Sequence, residues 1–448
     1  MKKLLIKNAK IINEGKIFDG DVYIEKDTIV EVAEMISAKS QDVKIIDAEG
    51  KYLLPGVIDD HVHFREPGLT YKEDIYHGSK AAIAGGITSF MEMPNTTPPT
   101  TDIDLLEQKF DAAAEKSLAN YSFIFGASNS NLEEIKKLDP KKVPGVKLFL
   151  GCSTGDLYVS DEKALQDIFE QSPVLILTHC EDQDTMDANL EKFKEKYGDD
   201  IPMKYHPEIR SEEACYISTS KTVELAKKTG ARLHVLHIST AKELELFSNK
   251  KPLEERKITG EVCVHHLWFN DQDYESKGTK IKWNPSIKTE KDQKGLLQGL
   301  IEDKLSIIGT DHAPHTKEEK NQVYTKAPSG GPLVQHSLPA MLELHHRGEI
   351  SLEKIVEKMC HNPAKLFKIE KRGFIKEGYK ADLCLVDLNS PWTVQDANIF
   401  YKCEWSPFKG TTFKSRITHT FVNGQLVYNN FKFPKVSERN VQRLSFDY

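Results

Sequence analysis

The sequence lacks the features that mark membrane, secreted and nucleic-acid-binding proteins. Its apolar runs fall well short of the roughly 18 residues of a membrane span, and residues 1–15 hold neither a sustained hydrophobic segment nor a cleavage site. The 61 basic and 68 acidic residues give a net charge of −7, without a basic block that would suit a phosphate backbone. We therefore expect a cytoplasmic protein that acts on a small molecule, with no membrane and no nucleic-acid partner.

Cysteine is also used in a way that excludes several classes of protein. The seven cysteines are odd in number, scattered, and never spaced as C-x-x-C. This usage fits reduced thiols in a reducing compartment and argues against a disulfide framework or a zinc ribbon. The residues are Cys152, Cys180, Cys215, Cys263, Cys360, Cys384 and Cys403.

The middle of the chain alternates strand-like and helical patterns, whereas both ends are β-like. Seven strand-like runs, from ITSFMEM to LSIIGTDH, alternate with helical patterns, and an eighth apolar run covers Tyr52–Ile58. Eight such strands predict an α/β fold, a closed (β/α)8 barrel of the TIM type with its site at the carboxyl ends of the strands. We place the barrel at residues 53–366 and assign 1–52 and 367–448 to one smaller β-sandwich domain built from both chain ends. In the last segment, Asn423-Gly424 predicts a hairpin.

The most informative segment runs from Pro55 to Asn95 and contains two histidines one residue apart, followed by an arginine. In an extended strand, residues i and i+2 point to the same face. His61 and His63 can therefore offer nitrogens to one cation while Arg65 continues along that face. The pattern indicates a metal site with an anion-binding guanidinium beside it. A chance H-x-H pair in a surface strand is the alternative.

Four further candidate ligands fall near the ends of other predicted strands. They are Lys147 in GVKLFL, His179 in PVLILTH, His237 in RLHVLH and Asp311 in LSIIGTD. A charged lysine inside an apolar strand is expensive to bury, and the usual escape is a shifted pKa or a chemical modification. Carbamylation of Lys147 would supply two anionic oxygens that can bridge two divalent ions. A lysine that snorkels at a strand end is the alternative for this residue taken alone.

Seven motifs spread over nearly the whole chain occur in a distinctive order. They are PGVIDDHVHFREPG, AAIAGGITSFMEMPNT, GVKLFLG, LTHCE, HVLHIS, GEVCVHH and GTDHAPHTKEEK. Together they resemble the motifs of dihydroorotases of the long, class I type in the amidohydrolase superfamily. The resemblance implies a dinuclear centre of two zinc ions per subunit, with carboxylated Lys147 as the bridge. It assigns one ion to His61, His63, Lys147 and Asp311, and the other to Lys147, His179 and His237. Zinc suits histidine-rich sites on general grounds.

The same resemblance implies five substrate contacts, namely Arg65, Asn95, Asn284, His315 and Gly330. Arg65 presents a planar fork that binds a carboxylate through two parallel hydrogen bonds. Asn95 and His315 are expected to share that carboxylate, and backbone groups around Gly330 are expected to hold the ring amides. His265 and His266 also match the family, and we interpret them as supports of the barrel mouth rather than as ligands.

The loop Gly151–Asp156 is expected to be a mobile lid. Its two glycines bracket small hydroxyl residues, which supplies hinge freedom and hydrogen-bonding capacity. In this interpretation Ser153 and Thr154 reach the substrate when the lid is closed. An ordinary connection between a strand and a helix is the alternative.

The function that the resemblance implies is the reversible hydrolysis of the cyclic amide of (S)-dihydroorotate to N-carbamoyl-L-aspartate, in de novo pyrimidine biosynthesis. A metal-bound hydroxide would be the nucleophile, and Asp311 would act as general base and then as general acid. Allantoinase and dihydropyrimidinase or hydantoinase share the fold, metals and reaction type. Dihydropyrimidine and hydantoin rings lack the carboxylate that Arg65 would neutralise.

A rival from another class is a non-catalytic scaffold with the same fold. Such a scaffold would not need all six candidate metal ligands together with Arg65. The sequence leaves open whether two subunits form a homodimer.

Overall fold

A computed structural model describes residues 3–38, 41–151, 157–435 and 440–448. The strands are β1 (Lys3–Asn13), β2 (Lys16–Glu25), β3 (Thr28–Ala33), β4 (Val43–Asp47), β5 (Tyr52–Pro55), β6 (Val57–Val62), β7 (Ile87–Glu92), β8 (Asn120–Phe123), β9 (Phe125–Gly126), β10 (Gly145–Leu150), β11 (Leu175–Cys180), β12 (Leu233–Val235), β13 (Ile258–Cys263), β14 (Ile307–Gly309), β15 (Leu383–Asp387), β16 (Trp392–Thr393), β17 (Thr412–Phe413), β18 (Arg416–Val422) and β19 (Gln425–Asn429). The helices are α1 (Ile75–Ala84), α2 (Ile103–Lys116), α3 (Leu132–Ile135), α4 (Glu162–Gln171), α5 (Gln183–Tyr197), α6 (His206–Ile209), α7 (Glu212–Thr229), α8 (Val264–Trp268), α9 (Tyr274–Lys277), α10 (Glu290–Ile301), α11 (Lys317–Lys320), α12 (Ser337–His346), α13 (Leu352–Val356) and α14 (Asn362–Leu366). None of the described helices is long and apolar enough to cross a membrane.

The middle of the chain forms a closed parallel barrel. Strands β6, β7 and β8 pair in parallel, and β9 to β14 continue in parallel order. Only Ile124 separates β8 from β9, so these two form one interrupted barrel strand. The ring closes where the His63 N–H donates to the His312 carbonyl at 2.7 Å, beside a parallel bridge between Val62 and His312. The predicted (β/α)8 barrel is thereby confirmed.

The barrel strands are buried on both faces, as their apolar sequences predict. Every position of β6, β7 and β11 is buried, because the neighbouring helices cover the outer face and side chains fill the interior. The helix α7 shows how local sequence sets the boundaries of a covering helix. It begins after Ser211, whose side chain accepts the Ala214 N–H, and ends at Gly230, which has a left-handed φ of 75°.

The apolar run Tyr52–Ile58, predicted as one barrel strand, is divided between two sheets. Strand β5 pairs with β1 and β15, whereas β6 begins the barrel. Gly56 stands between them, packed so closely that a Cβ there would overlap the Thr88 side chain. The prediction of a single strand is wrong because both sheets require apolar residues, so hydrophobicity does not change where the chain passes from one sheet to the other.

The two chain ends build one smaller β domain. Its eight-stranded sheet has the order β19-β18-β15-β5-β1-β2-β3, and β4 pairs with β1. N-terminal and C-terminal strands meet at β5, which pairs in parallel with β1 and antiparallel with β15. Ile6, Ile11, Leu383 and Phe421 belong to a hydrophobic core separate from that of the barrel. The hairpin predicted at Asn423-Gly424 is confirmed, since both residues have positive φ between β18 and β19.

Candidate metal centre and substrate cavity

The barrel mouth holds a cavity of about 260 Å³ that collects the predicted site residues. Eleven of them line it: His61, His63, Arg65, Asn95, Lys147, His179, His237, Asn284, Asp311, His315 and Gly330. The other two, Ser153 and Thr154, lie outside the described residues. The convergence follows from the fold, since these residues lie near the carboxyl ends of the barrel strands or in the loops that follow them, and those ends share one rim.

The first group of candidate ligands gathers around Asp311. Its Oδ1 lies 3.1 Å from His63 Nε2 and 3.3 Å from His61 Nε2. The other nitrogen of each ring faces an acceptor, because His61 Nδ1 is 3.0 Å from Glu261 Oε1 and His63 Nδ1 is 2.6 Å from Asn95 Oδ1. When each Nδ1 carries the proton, each Nε2 keeps a lone pair toward the carboxylate. That is the tautomer a metal ligand requires.

The charge states of His63 and Asp311 suit a cation. Burial lowers the pKa of His63 to about 4, which leaves the ring neutral. Burial alone would raise the pKa of Asp311, but His61 and His63 outweigh it and hold that pKa well below its usual range. Burial likewise opposes protonation of His61, but the carboxylates of Glu261 and Asp311 raise its pKa above the ordinary value. These carboxylates therefore attract positive charge to His61, and a bound cation would take the place of the second ring proton.

The second group consists of His179 and His237. His179 Nδ1 faces His237 Nε2 at 2.9 Å, and His179 Nε2 lies 2.9 Å from Glu181 Oε2. Arg210 holds Glu181 in turn, with its Nε 3.0 and 3.1 Å from the two carboxylate oxygens. Burial lowers the pKa of His179 and takes the pKa of His237 well below its usual range. Two neutral rings that face each other through nitrogen can share one cation.

Lys147 lies between these groups on β10. It is 1% exposed, and its Nζ is 4.8 Å from the centre of the Phe149 ring. Its charge acts on the pKa values of His61, His179 and His237, so it is near members of both groups. Burial lowers the pKa of Lys147 to about 8. In the part of the chain that the structure describes, no carboxylate forms an ion pair with it.

These residues fit a two-cation centre. Asp311 with His61 and His63 supplies donor atoms that lie within 4.8 Å of one another. The facing nitrogens of the second group supply another set, and the buried His237 Nδ1 has no hydrogen-bond partner among the described residues. A carboxylated Lys147 would add oxygen donors to both.

Arg65 brings a buried guanidinium to the wall of the cavity. Arg65 is only 6% exposed, its Nε–H donates to the Pro314 carbonyl at 3.1 Å, and one terminal nitrogen lies 3.2 Å from His315 Nε2. None of the described carboxylates forms an ion pair with it. The expected extended path from His63 to Arg65 is wrong, because Arg65 has a φ of 65° and reaches the cavity from a turn after β6.

The remaining substrate candidates line the same cavity, and His315 contacts this guanidinium. His315 Nδ1 is 3.1 Å from Lys72 Nζ, and burial together with Arg65 lowers the pKa of His315 to about 3. Asn95 uses its carbonyl oxygen on His63, which leaves the amide N–H groups for a ligand. The Gly330 N–H already donates to the Lys282 carbonyl at 2.8 Å. A Gly330 contact with substrate would therefore use its carbonyl oxygen, which also accepts a bond from Lys320.

Sequence reasoning missed the residues that stand behind the ligands. Glu261 is an acidic residue inside the apolar strand β13, the same signal that drew attention to Lys147, and Glu181 follows His179 by two positions. Trp283 was also missed. It lines the cavity and stacks on His265 with ring centres 4.4 Å apart, which agrees with a supporting role for that histidine.

The chain is similar to known proteins in both sequence and fold. The amidohydrolase family model matches residues 52–427. The chain is 35% identical to the dihydroorotase of Carboxydothermus hydrogenoformans over 95% of this chain and 98% of the relative, and 34% identical to that of Methanosarcina mazei over 92% and 91%. A solved L-hydantoinase (dihydropyrimidinase) from Arthrobacter aurescens superimposes with a TM-score of 0.92 at 27% identity, over 100% of both chains.

Proposed function

The chain belongs to the amidohydrolase family, and from that premise we propose that it is a dihydroorotase that interconverts (S)-dihydroorotate and N-carbamoyl-L-aspartate. The relatives named dihydroorotase match it over nearly its whole length. The observation that carries the proposal is Arg65, a buried guanidinium at the cavity without a carboxylate partner among the described residues. An unpaired buried charge costs several kcal/mol, and the carboxylate of dihydroorotate would neutralise it.

The metal centre in this proposal contains two zinc ions. His61, His63 and Asp311 would hold one ion, His179 and His237 the other, and carboxylated Lys147 would bridge them. When bound, such ions polarise the scissile carbonyl and lower the pKa of an attacking water. Nitrogen and oxygen donors of this kind suit zinc.

In this proposal, Arg65 and Asn95 orient the substrate and Asp311 transfers protons. The Arg65 fork, with the amide of Asn95 beside it, fixes the substrate carboxylate and so sets the position of the ring. Asp311 is a carboxylate at neutral pH because its histidine neighbours keep its pKa low. It can therefore accept a proton from the attacking water and deliver it to the leaving ring nitrogen. The same residue reverses these roles when the ring closes.

Hydrolysis of hydantoins or dihydropyrimidines is the second candidate function. The fold likeness to the L-hydantoinase favours it, but these rings would leave Arg65 without a counter-charge. The experiment measures the rate of ring opening of four substrates: dihydroorotate, dihydrouracil, hydantoin and allantoin. All four are assayed with the same protein preparation, and its metal content is measured. We expect turnover of dihydroorotate alone. A preference for a ring without the carboxylate would overturn the proposal, and a metal-replete protein inactive on all four would favour a scaffold.

The lid at Ser153 and Thr154 remains a prediction. Replacing both with alanine should lower turnover roughly tenfold, because two hydrogen bonds of about 0.5–1.5 kcal/mol each would be lost. Both metal ions should stay bound, since neither residue is a proposed ligand. The exposed Ser160 provides a matched control, and Ser160→Ala should leave turnover unchanged. Equal turnover in the double variant and the wild type would make the loop a simple connection.

The proposal also includes a cytoplasmic location and a small-molecule partner, as the sequence predicts. The homodimer stays a prediction. A sedimentation measurement on the metal-loaded protein would distinguish a monomer from a homodimer.

A further inference from the structure

A buried carboxylate joins the two groups of candidate ligands from behind the cavity. Glu261 on β13 is 0% exposed. Its Oε1 is 3.0 Å from His61 Nδ1, and the same oxygen accepts the backbone N–H of His237 at 3.0 Å. His61 and His237 belong to different groups, so one side chain contacts both halves of the proposed centre.

The contact with His61 selects a tautomer. A neutral imidazole has one N–H, and Glu261 can accept it only when the proton lies on Nδ1. The lone pair is then on Nε2, which faces Asp311 at 3.3 Å. A carboxylate at this position fixes both the rotation of the ring and the nitrogen that is available to a cation.

The contact with His237 holds an unusual backbone conformation. His237 has a positive φ of 40°, a conformation that costs a residue with a side chain on the order of 1–3 kcal/mol. Its ring depends on that conformation to face His179 at 2.9 Å. Glu261 accepts the N–H of this strained residue and so helps to keep its ring in place.

The charge of Glu261 supports the same conclusion. Glu181, the other carboxylate behind the ligands, is neutralised by Arg210. Within the described ranges, Glu261 has no lysine or arginine partner, and its contact with His61 would balance its charge only if that ring were protonated. Its second oxygen has no hydrogen bond among the described residues, and Glu261 also lies close to Asp60 and His234. A cation in the cavity would supply the balancing positive charge.

We propose that Glu261 is a positioning residue for the metal centre, which holds His61 as the Nδ1–H tautomer and the His237 backbone in its left-handed conformation. It thereby sets the affinity of both ion positions without contacting substrate. This inference rests on the dinuclear centre proposed above and adds a residue that controls how tightly the ions are held.

The first test is zinc binding by Glu261→Gln at buffered free zinc, without substrate. The amide side chain of this variant keeps an acceptor for the His237 N–H but loses the charge, and we expect zinc binding to weaken 10–100-fold, as for other residues that orient metal ligands. The matched control is Glu243→Gln. Glu243 is also buried but bonds the hydroxyls of Thr219 and Thr240 and does not line the cavity. A folded Glu261→Gln protein with wild-type zinc affinity would overturn the proposal.

The second test uses the unaltered protein and so does not depend on the folding of a variant. Nitrogen-15 spectra of the zinc-loaded protein, with the His61 signals assigned by their loss in His61→Ala, should show a proton on Nδ1. A proton on Nε2 would overturn the proposal. Neither test involves ring opening, so failure of the wild type to hydrolyse dihydroorotate would count against the proposed function and leave this inference standing.

Discussion

Replacing Lys147 with alanine should greatly slow ring opening and remove part of the bound metal. The proposed carbamate is the one ligand common to both ions, so its loss weakens both positions at once. Without metal activation of the water and the carbonyl, the activation free energy should rise by several kcal/mol. At about 1.36 kcal/mol per factor of ten, this corresponds to a rate about 10³-fold lower. Activity measured together with metal per chain would check this result.

Chemical rescue separates a missing carboxylate from a damaged core. A small carboxylic acid such as propionate should restore some activity to Lys147→Ala by supplying two oxygens in the vacated space. The matched control is Lys358→Ala, which removes a lysine that is equally buried but bonds Asp303 and the Leu305 carbonyl away from the cavity. The acid should not affect it. Electron density for a bare ammonium at Lys147 in an active, metal-replete crystal would contradict the carbamate.

Replacing Arg65 with lysine should leave the metal content unchanged and raise KM for dihydroorotate by about 10–100-fold. A hydrogen bond to a charged group contributes about 1.5–3 kcal/mol, and a lysine cannot reproduce the two parallel bonds of the fork. The measurement is steady-state kinetics with metal analysis of the same preparation.

The control for Arg65 is another buried arginine. Arg372→Lys alters a guanidinium that pairs with Asp382 and bonds Asn423 outside the cavity, so KM should not change. Unchanged kinetics in Arg65→Lys would show that the substrate carboxylate binds elsewhere.

The candidate ligands could be predicted from the sequence because their positions follow from the fold. His61, His179 and Asp311 each end or follow a barrel strand, and parallel strands bring their carboxyl ends to one rim. The prediction needed only the strand pattern and the residue types. Glu261 lies in β13, a strand that carries no other candidate ligand. The sequence therefore shows an acidic residue in an apolar strand but does not indicate which side chain it contacts.

The details that the sequence did not reveal depend on contacts between distant segments. The acceptors that face Nδ1 of His61 and Nδ1 of His63 are Glu261 on β13 and Asn95 after β7, which are distant in sequence from these histidines. The division at Gly56 depends on the close approach of Thr88. The direction of the chain at Arg65 depends on its positive φ. A periodic pattern of apolar residues does not reveal a single left-handed residue.

The meeting of both chain ends at β5 has a consequence for synthesis on the ribosome. Strands β1 to β5 emerge first, but β15, which covers the other edge of β5, emerges only after the entire barrel. At about 5–20 residues per second, that edge waits roughly tens of seconds for its partner. During this interval the nascent chain carries an unpaired, apolar strand edge, the kind of surface that pairs with other chains. The barrel strands can pair with one another before β15 is synthesised, whereas the sheet of the smaller domain can close only afterwards.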